Sequence, residues 1–85
     1  MGAVTAAIRQ ILKDHARLSA DAETLDEHAD LYQAGMTSHA SVNVMLALES
    51  RLDFEFPDRM LRRSVFESIA AIDEAVRTIK DGAAA

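Results

Sequence analysis

At 85 residues, with a net charge of −5 and no cysteine, the chain allows one small domain, 1–85, and excludes disulfides and thiolate metal sites, so helix packing must supply the core. The acidic balance argues against general nucleic-acid binding. The longest apolar run, residues 44–48, is far below the ~20 residues of a membrane span, and Arg9 and Lys13 interrupt any leader-like apolar core; a soluble, cytoplasmic monomer is the expectation.

The first element is an amphipathic helix over about residues 3–17. Val4, Ile8, Ile11, Leu12 and Leu18 carry its apolar spacing, and Arg9, Lys13 and Arg17 lie outside. Thr5 is a β-branched blemish in its first turn, and His15 falls between the two faces. Residues 19–35 then form a long connection holding Asp21, Glu23, Asp26, Glu27, His28 and Asp30. An EF-hand would need a central glycine and alternating oxygen ligands, and neither pattern is present. His28 and Asp30 are two ligands where zinc needs more. The expectation is a solvated acidic loop anchored by Leu25, Leu31 and Tyr32. Its length is unusual for a compact domain and points to function.

Gly35 predicts a tight turn with positive φ. Thr37 is a good N-cap for the next helix, and Ser38 falls in its first turn with the hydroxyl near solvent. A phosphate there would meet free backbone N–H groups and the positive end of the helix dipole. Ser41, Met45, Leu48 and Leu52, with Val44 beside them, form one helical stripe; Ser38, Val42, Leu46 and Glu49 form a second. Spacing alone favours burial of both stripes, with Ser38 a capping residue. The alternative leaves the second as an apolar track that starts at the serine.

Beyond this helix, Asp53-Phe54-Glu55-Phe56 reads as extended, with Phe56 in the core. Pro57 and Asp58 open a short helical turn. Arg59, Arg62 and Arg63 make a basic cluster around Met60 and Leu61, and Val65 and Phe66 return to the core. Ser68 is an N-cap for a last helix whose apolar positions are Ile69, Ile72, Val76 and Ile79, and Gly82 is placed to end it. The fold class is therefore all-α: a small four-helix bundle of three longer helices and one short one. No catalytic set is present. Ser38 and His39 are adjacent, so their side chains diverge by about 100° on a helix, and nothing supplies a base and its orienting partner.

Asp30-Leu31-Tyr32, Gly35, Ser38, Val44-Met45-Leu46-Ala47-Leu48-Glu49, Leu52-Asp53 and Phe56-Pro57-Asp58 together resemble the acyl carrier protein family across most of the chain. The resemblance implies an acyl-carrier-type bundle in which Ser38 receives 4′-phosphopantetheine, covalently, from coenzyme A. The thiol for a thioester-held cargo would then come from that group. Thr37-Ser38-His39 departs from the Asp-Ser-Leu of the fatty-acid members, and the helix after Ser38 carries few charges. The Gly35-Met36-Thr37-Ser38 pattern, with the Phe56-Pro57-Asp58 and Ser68-Ile69 segments downstream, is more similar to standalone aminoacyl carrier proteins. That implies two partners: a phosphopantetheinyl transferase, and an amino acid:carrier protein ligase resembling a class II aminoacyl-tRNA synthetase core, or another acyl-loading enzyme. Partner docking is expected at Thr37, His39, Val42 and Leu46, with Arg62 and Arg63 steering toward an acidic partner. The competing readings are a fatty-acyl, polyketide or peptidyl carrier, and an unmodified helical interaction module. An enzyme in its own right is disfavoured.

Overall fold

A computed structural model describes residues 3–80. They hold three α-helices, α1 (Ala3–His15), α2 (Ser38–Leu52) and α3 (Ile69–Lys80), and two single 3-10 turns, Asp58–Met60 and Arg63–Val65. No strand occurs among the described residues. The all-helical expectation stands; where a fourth, short helix was expected, the described residues form two separate 3-10 turns. The stop expected at Gly82 lies outside the described residues.

α1 packs against both α2 and α3, because its apolar side is broad enough to meet two partners. Ile8, Ile11, Leu12 and Ala16 are buried, and Val4 lies against the same core. The helix ends two residues earlier than the spacing suggests. Ala16 still donates its N–H to the Leu12 carbonyl, but Arg17 turns left-handed at φ 55° and closes the helix. Thr5 proves structural: its hydroxyl donates to Asp73 of α3 at 3.2 Å.

α3 buries Ile69, Ile72, Ala75 and Val76, matching the expected spacing. Ser68 caps it, its Oγ accepting from the Ala71 N–H at 3.0 Å. Phe56 and Phe66 are buried and meet edge-to-face, ring centroids 5.2 Å apart, which seats the α2–α3 connection on the core.

The acidic connection is ordered by its own carboxylates. Asp21 accepts from the Glu23 N–H, Asp26 from the His28 N–H and Asp30 from the Tyr32 N–H, at 2.9, 3.0 and 2.9 Å. Each is an Asx turn, so these acids shape the chain. No group of three metal-ligating side chains occurs among the described residues. Ala22 and Leu31 are buried, and Arg9 on α1 donates to the Ala22 and Leu25 carbonyls. Backbone bonds Leu31 N–H to Glu67 O and Ala70 N–H to Glu27 O bind the connection to the start of α3.

Gly35 takes φ +118°, as its role in the turn requires. A Cβ there would sit 3.5 Å from the Arg17 carbonyl oxygen. That space is adequate, so backbone strain dominates. Gly35→Ala should destabilise the fold by about 1–3 kcal/mol, read as a lowered midpoint in urea with an unchanged slope.

One expectation from spacing is corrected. α2 does not bury both stripes. Ala40, Val44 and Leu48 face the core, flanked by Met45 and Leu52. Val42 and Leu46 are 48% and 53% exposed. α1 packs on the core side of α2, and Val42 and Leu46 lie away from it. No helix of the described residues is long and apolar enough to cross a membrane.

Candidate functional site

The start of α2 is built by three local devices. Gly35 reverses the chain. Met36 is buried and pins the turn to the core. Thr37, in extended conformation, accepts from the Ala40 N–H through its hydroxyl at 3.0 Å, and its carbonyl accepts the first helical bond, from Ser41. The cap thus occupies the N–H of the third helical residue. The N–H groups of Ser38 and His39, the first two, have no helical partner. Thr37→Ala should lower stability by about 1 kcal/mol and fray the turn that presents Ser38, read by amide exchange at residues 38–41.

Ser38 is exposed, and its hydroxyl makes no hydrogen bond to another described residue. Ser41 differs. Its Oγ donates to the Ser38 carbonyl at 2.7 Å, a back-bond that occupies it. The helix terminus adds a favourable field for an anion on Ser38, worth about 0.3–1 kcal/mol at a surface site. His39 is exposed and points away from Ser38 around the helix, so no base stands against the serine.

Ser38 lines a half-open groove of about 360 Å³. One wall is α2, through Ser38, Ser41, Val42 and Met45, one turn following another. The other is the α2–α3 connection, through Leu61, Arg62, Arg63 and Phe66, with Tyr32 at the side. The Arg63 guanidinium carbon lies 3.9 Å from the centre of the Tyr32 ring, a cation–π contact that fixes both side chains. The Arg62 Nε–H donates to the Arg59 carbonyl at 3.0 Å.

Of the expected site residues, Ser38, Val42, Arg62 and Arg63 line this groove, and Thr37 caps the helix beside Ser38. Leu46 lies one turn farther along the exposed side of α2, and His39 lies off the groove. Glu49, expected on the same track, is turned inward, its carboxylate accepting from the Phe56 N–H at 2.9 Å. The sequence reading missed Ser41, Met45, Leu61 and Phe66 as groove walls and gave Tyr32 only an anchoring role. Those walls form by long-range packing, which no local spacing announces.

The groove thus combines an accessible hydroxyl, guanidinium donors and apolar walls. Residues 4–74 match the phosphopantetheine attachment site family. The chain is 46% identical over 79 residues, 93% of its own length and 95% of the relative's, to an aminoacyl carrier protein of Agrobacterium fabrum. Its fold is similar, at TM-score 0.85 and 45% identity, to the carrier protein from Agrobacterium tumefaciens crystallised with an engineered Bradyrhizobium japonicum glycine–carrier-protein ligase and ATP; the match covers 89% of this chain and 99% of that one. A second similarity, at TM-score 0.78 and 26% identity, is to the cognate carrier protein in a complex of the Bradyrhizobium japonicum ligase with an analogue of glycyl adenylate, covering 91% of this chain and 99% of that one.

Proposed function

The chain belongs to the phosphopantetheine attachment family, and on that premise we propose that it is an aminoacyl carrier protein whose attachment residue is Ser38. On a phosphopantetheinyl transferase, the Ser38 Oγ attacks the pantetheine-bearing phosphate of coenzyme A. The new O–P bond forms as the pyrophosphate bridge breaks, adenosine 3′,5′-bisphosphate leaves, and the hydroxyl proton passes to the transferase. Once attached, the arm supplies the thiol that this cysteine-free chain lacks, and an activated amino acid is held on it as a thioester.

The exposed, unbonded Ser38 hydroxyl at the mouth of the groove is the observation that carries this reading. The first turn of α2 holds the oxygen outward, and Thr37 keeps that turn wound. This chain needs no catalytic group, because transferase and ligase supply activation and adenylation. We read it as a single carrier domain, a four-helix bundle of the acyl-carrier type in which the 3-10 turns stand where the short helix lies, acting as a monomer in the cytoplasm. Amino-acid cargo is supported by the 46% identity with an aminoacyl carrier protein.

The partner face is the uncovered side of α2. Val42 and Leu46 offer apolar area, Thr37 and His39 flank the serine, and Arg62 and Arg63 face an acidic partner. The ligase docks here in a geometry that brings the thiol to its adenylate.

Loading decides the cargo. The modified protein is incubated with ATP, a panel of labelled amino acids and a glycine–carrier-protein ligase, and in parallel with fatty-acyl substrates and an acyl-loading enzyme. An aminoacyl label released by hydroxylamine is the expected result. Labelling by acyl chains alone would replace this reading with that of a fatty-acyl carrier.

A further inference from the structure

The basic cluster of the α2–α3 connection lies on the same groove as Ser38, in a chain whose net charge is −5. Arg62 and Arg63 are exposed and pair with no carboxylate among the described residues. Their other contacts leave donors available. Arg63 lies against the face of the Tyr32 ring, which engages the guanidinium plane and leaves its in-plane N–H groups open. Arg62 uses only its Nε–H, on the Arg59 carbonyl, and its two terminal nitrogens remain.

We infer that Arg62 and Arg63 form an anion subsite for the phosphodiester carried on Ser38, and that they draw the attached arm into the groove between α2 and the α2–α3 connection. The inference rests on Ser38 as the attachment point and adds a resting position to it. Guanidinium is the side-chain group best matched to phosphate oxygens, because its planar fork donates two parallel hydrogen bonds. Tyr32 preorganises Arg63, so less rotamer freedom is lost on binding. Past the phosphate, Val42, Met45 and Phe66 present apolar walls to the aliphatic part of the arm. The tether fixes the anion at a high effective concentration, so contacts too weak to capture a free ligand still populate a docked state.

Isotope-labelled protein, before and after attachment, tests this by nuclear magnetic resonance, with the mass of the same sample confirming one attached group. The expected result is that attachment shifts the amides of Leu61, Arg62, Arg63 and Phe66 as well as those beside Ser38. These distant shifts should fall roughly twofold or more in ~0.5 M NaCl, where screening shortens to a few ångströms. They should also fall in Arg62→Gln and Arg63→Gln and persist in Arg51→Gln, which removes an exposed charge outside the groove. Shifts confined to residues 37–42, or distant shifts that survive both groove substitutions, would overturn the subsite while leaving Ser38 as acceptor. A sample whose mass does not rise overturns the attachment reading and the subsite with it.

Discussion

Ser38→Ala should abolish attachment of phosphopantetheine completely and leave the fold intact. The loss should be total because, on the proposed reading, this oxygen is itself the atom that forms the phosphodiester. Nothing nearby replaces it: the Ser41 hydroxyl is one turn away and bonded to the Ser38 carbonyl, and the chain has no cysteine. Stability should change by less than about 0.5 kcal/mol, as for surface substitutions that break no contact. The hydroxyl is exposed, the helix is capped by Thr37, and alanine is a good first-turn residue. Unchanged circular dichroism and urea midpoint, beside a mass that stays fixed after coenzyme A and transferase are added, are the outcomes to look for. A mass gain in the variant would move the acceptor elsewhere.

The second large contrast lies between neighbours on α2. Leu48 is fully buried and Leu46 is 53% exposed. Leu48→Asp removes a core side chain, a loss of about 2–5 kcal/mol by analogy with alanine substitutions. It also places a carboxylate without a partner in the core, at several kcal/mol more. A domain this size has roughly 4–13 kcal/mol in total, so the variant should be largely unfolded at neutral pH. Leu46→Asp should stay folded, since its site is already wet. It should instead slow ligase loading about tenfold or more, the effect of removing an apolar anchor from the centre of an interface. The measurement is kcat/KM for loading of the purified, modified variant. Native-like loading by Leu46→Asp would place the docking face somewhere other than the exposed side of α2.

The local features of this structure were readable in the sequence because their causes are local. Gly35 at a turn, Thr37 and Ser68 as caps, and Ile69, Ile72 and Val76 at helical spacing each depend on residues within one or two turns. The burial of Phe56 and Phe66 followed from apolar residues returning after polar ones. What could not be read depends on which surfaces meet. Val42 and Leu46 have the side chains of core residues, and only the packing of the chain as a whole leaves them exposed. Spacing alone places Glu49 on the second stripe, and its role in satisfying the Phe56 N–H where the chain leaves α2 showed only in the structure. Thr5 and Asp73 are 68 positions apart, and the groove joins Tyr32 to the Arg62–Arg63 pair across about a third of the chain. The work of the acids of the first connection as turn-formers showed only in their hydrogen bonds.

The groove also gives a physical sense to the departures around Ser38. Thr37 caps the helix without placing a carboxylate beside the serine. Arg62 and Arg63 bring positive charge to the same mouth. Both choices favour an anion on Ser38, one by withholding a negative charge and the other by adding donors.

The central claim is that the Ser38 oxygen is the acceptor. Its most direct test is the intact mass of the native chain after incubation with coenzyme A and a broad-specificity phosphopantetheinyl transferase, followed by fragmentation of the modified peptide to locate the group. The account predicts one phosphopantetheine per chain, on Ser38. An unchanged mass, or a group found on Ser41 or any other serine, would contradict it.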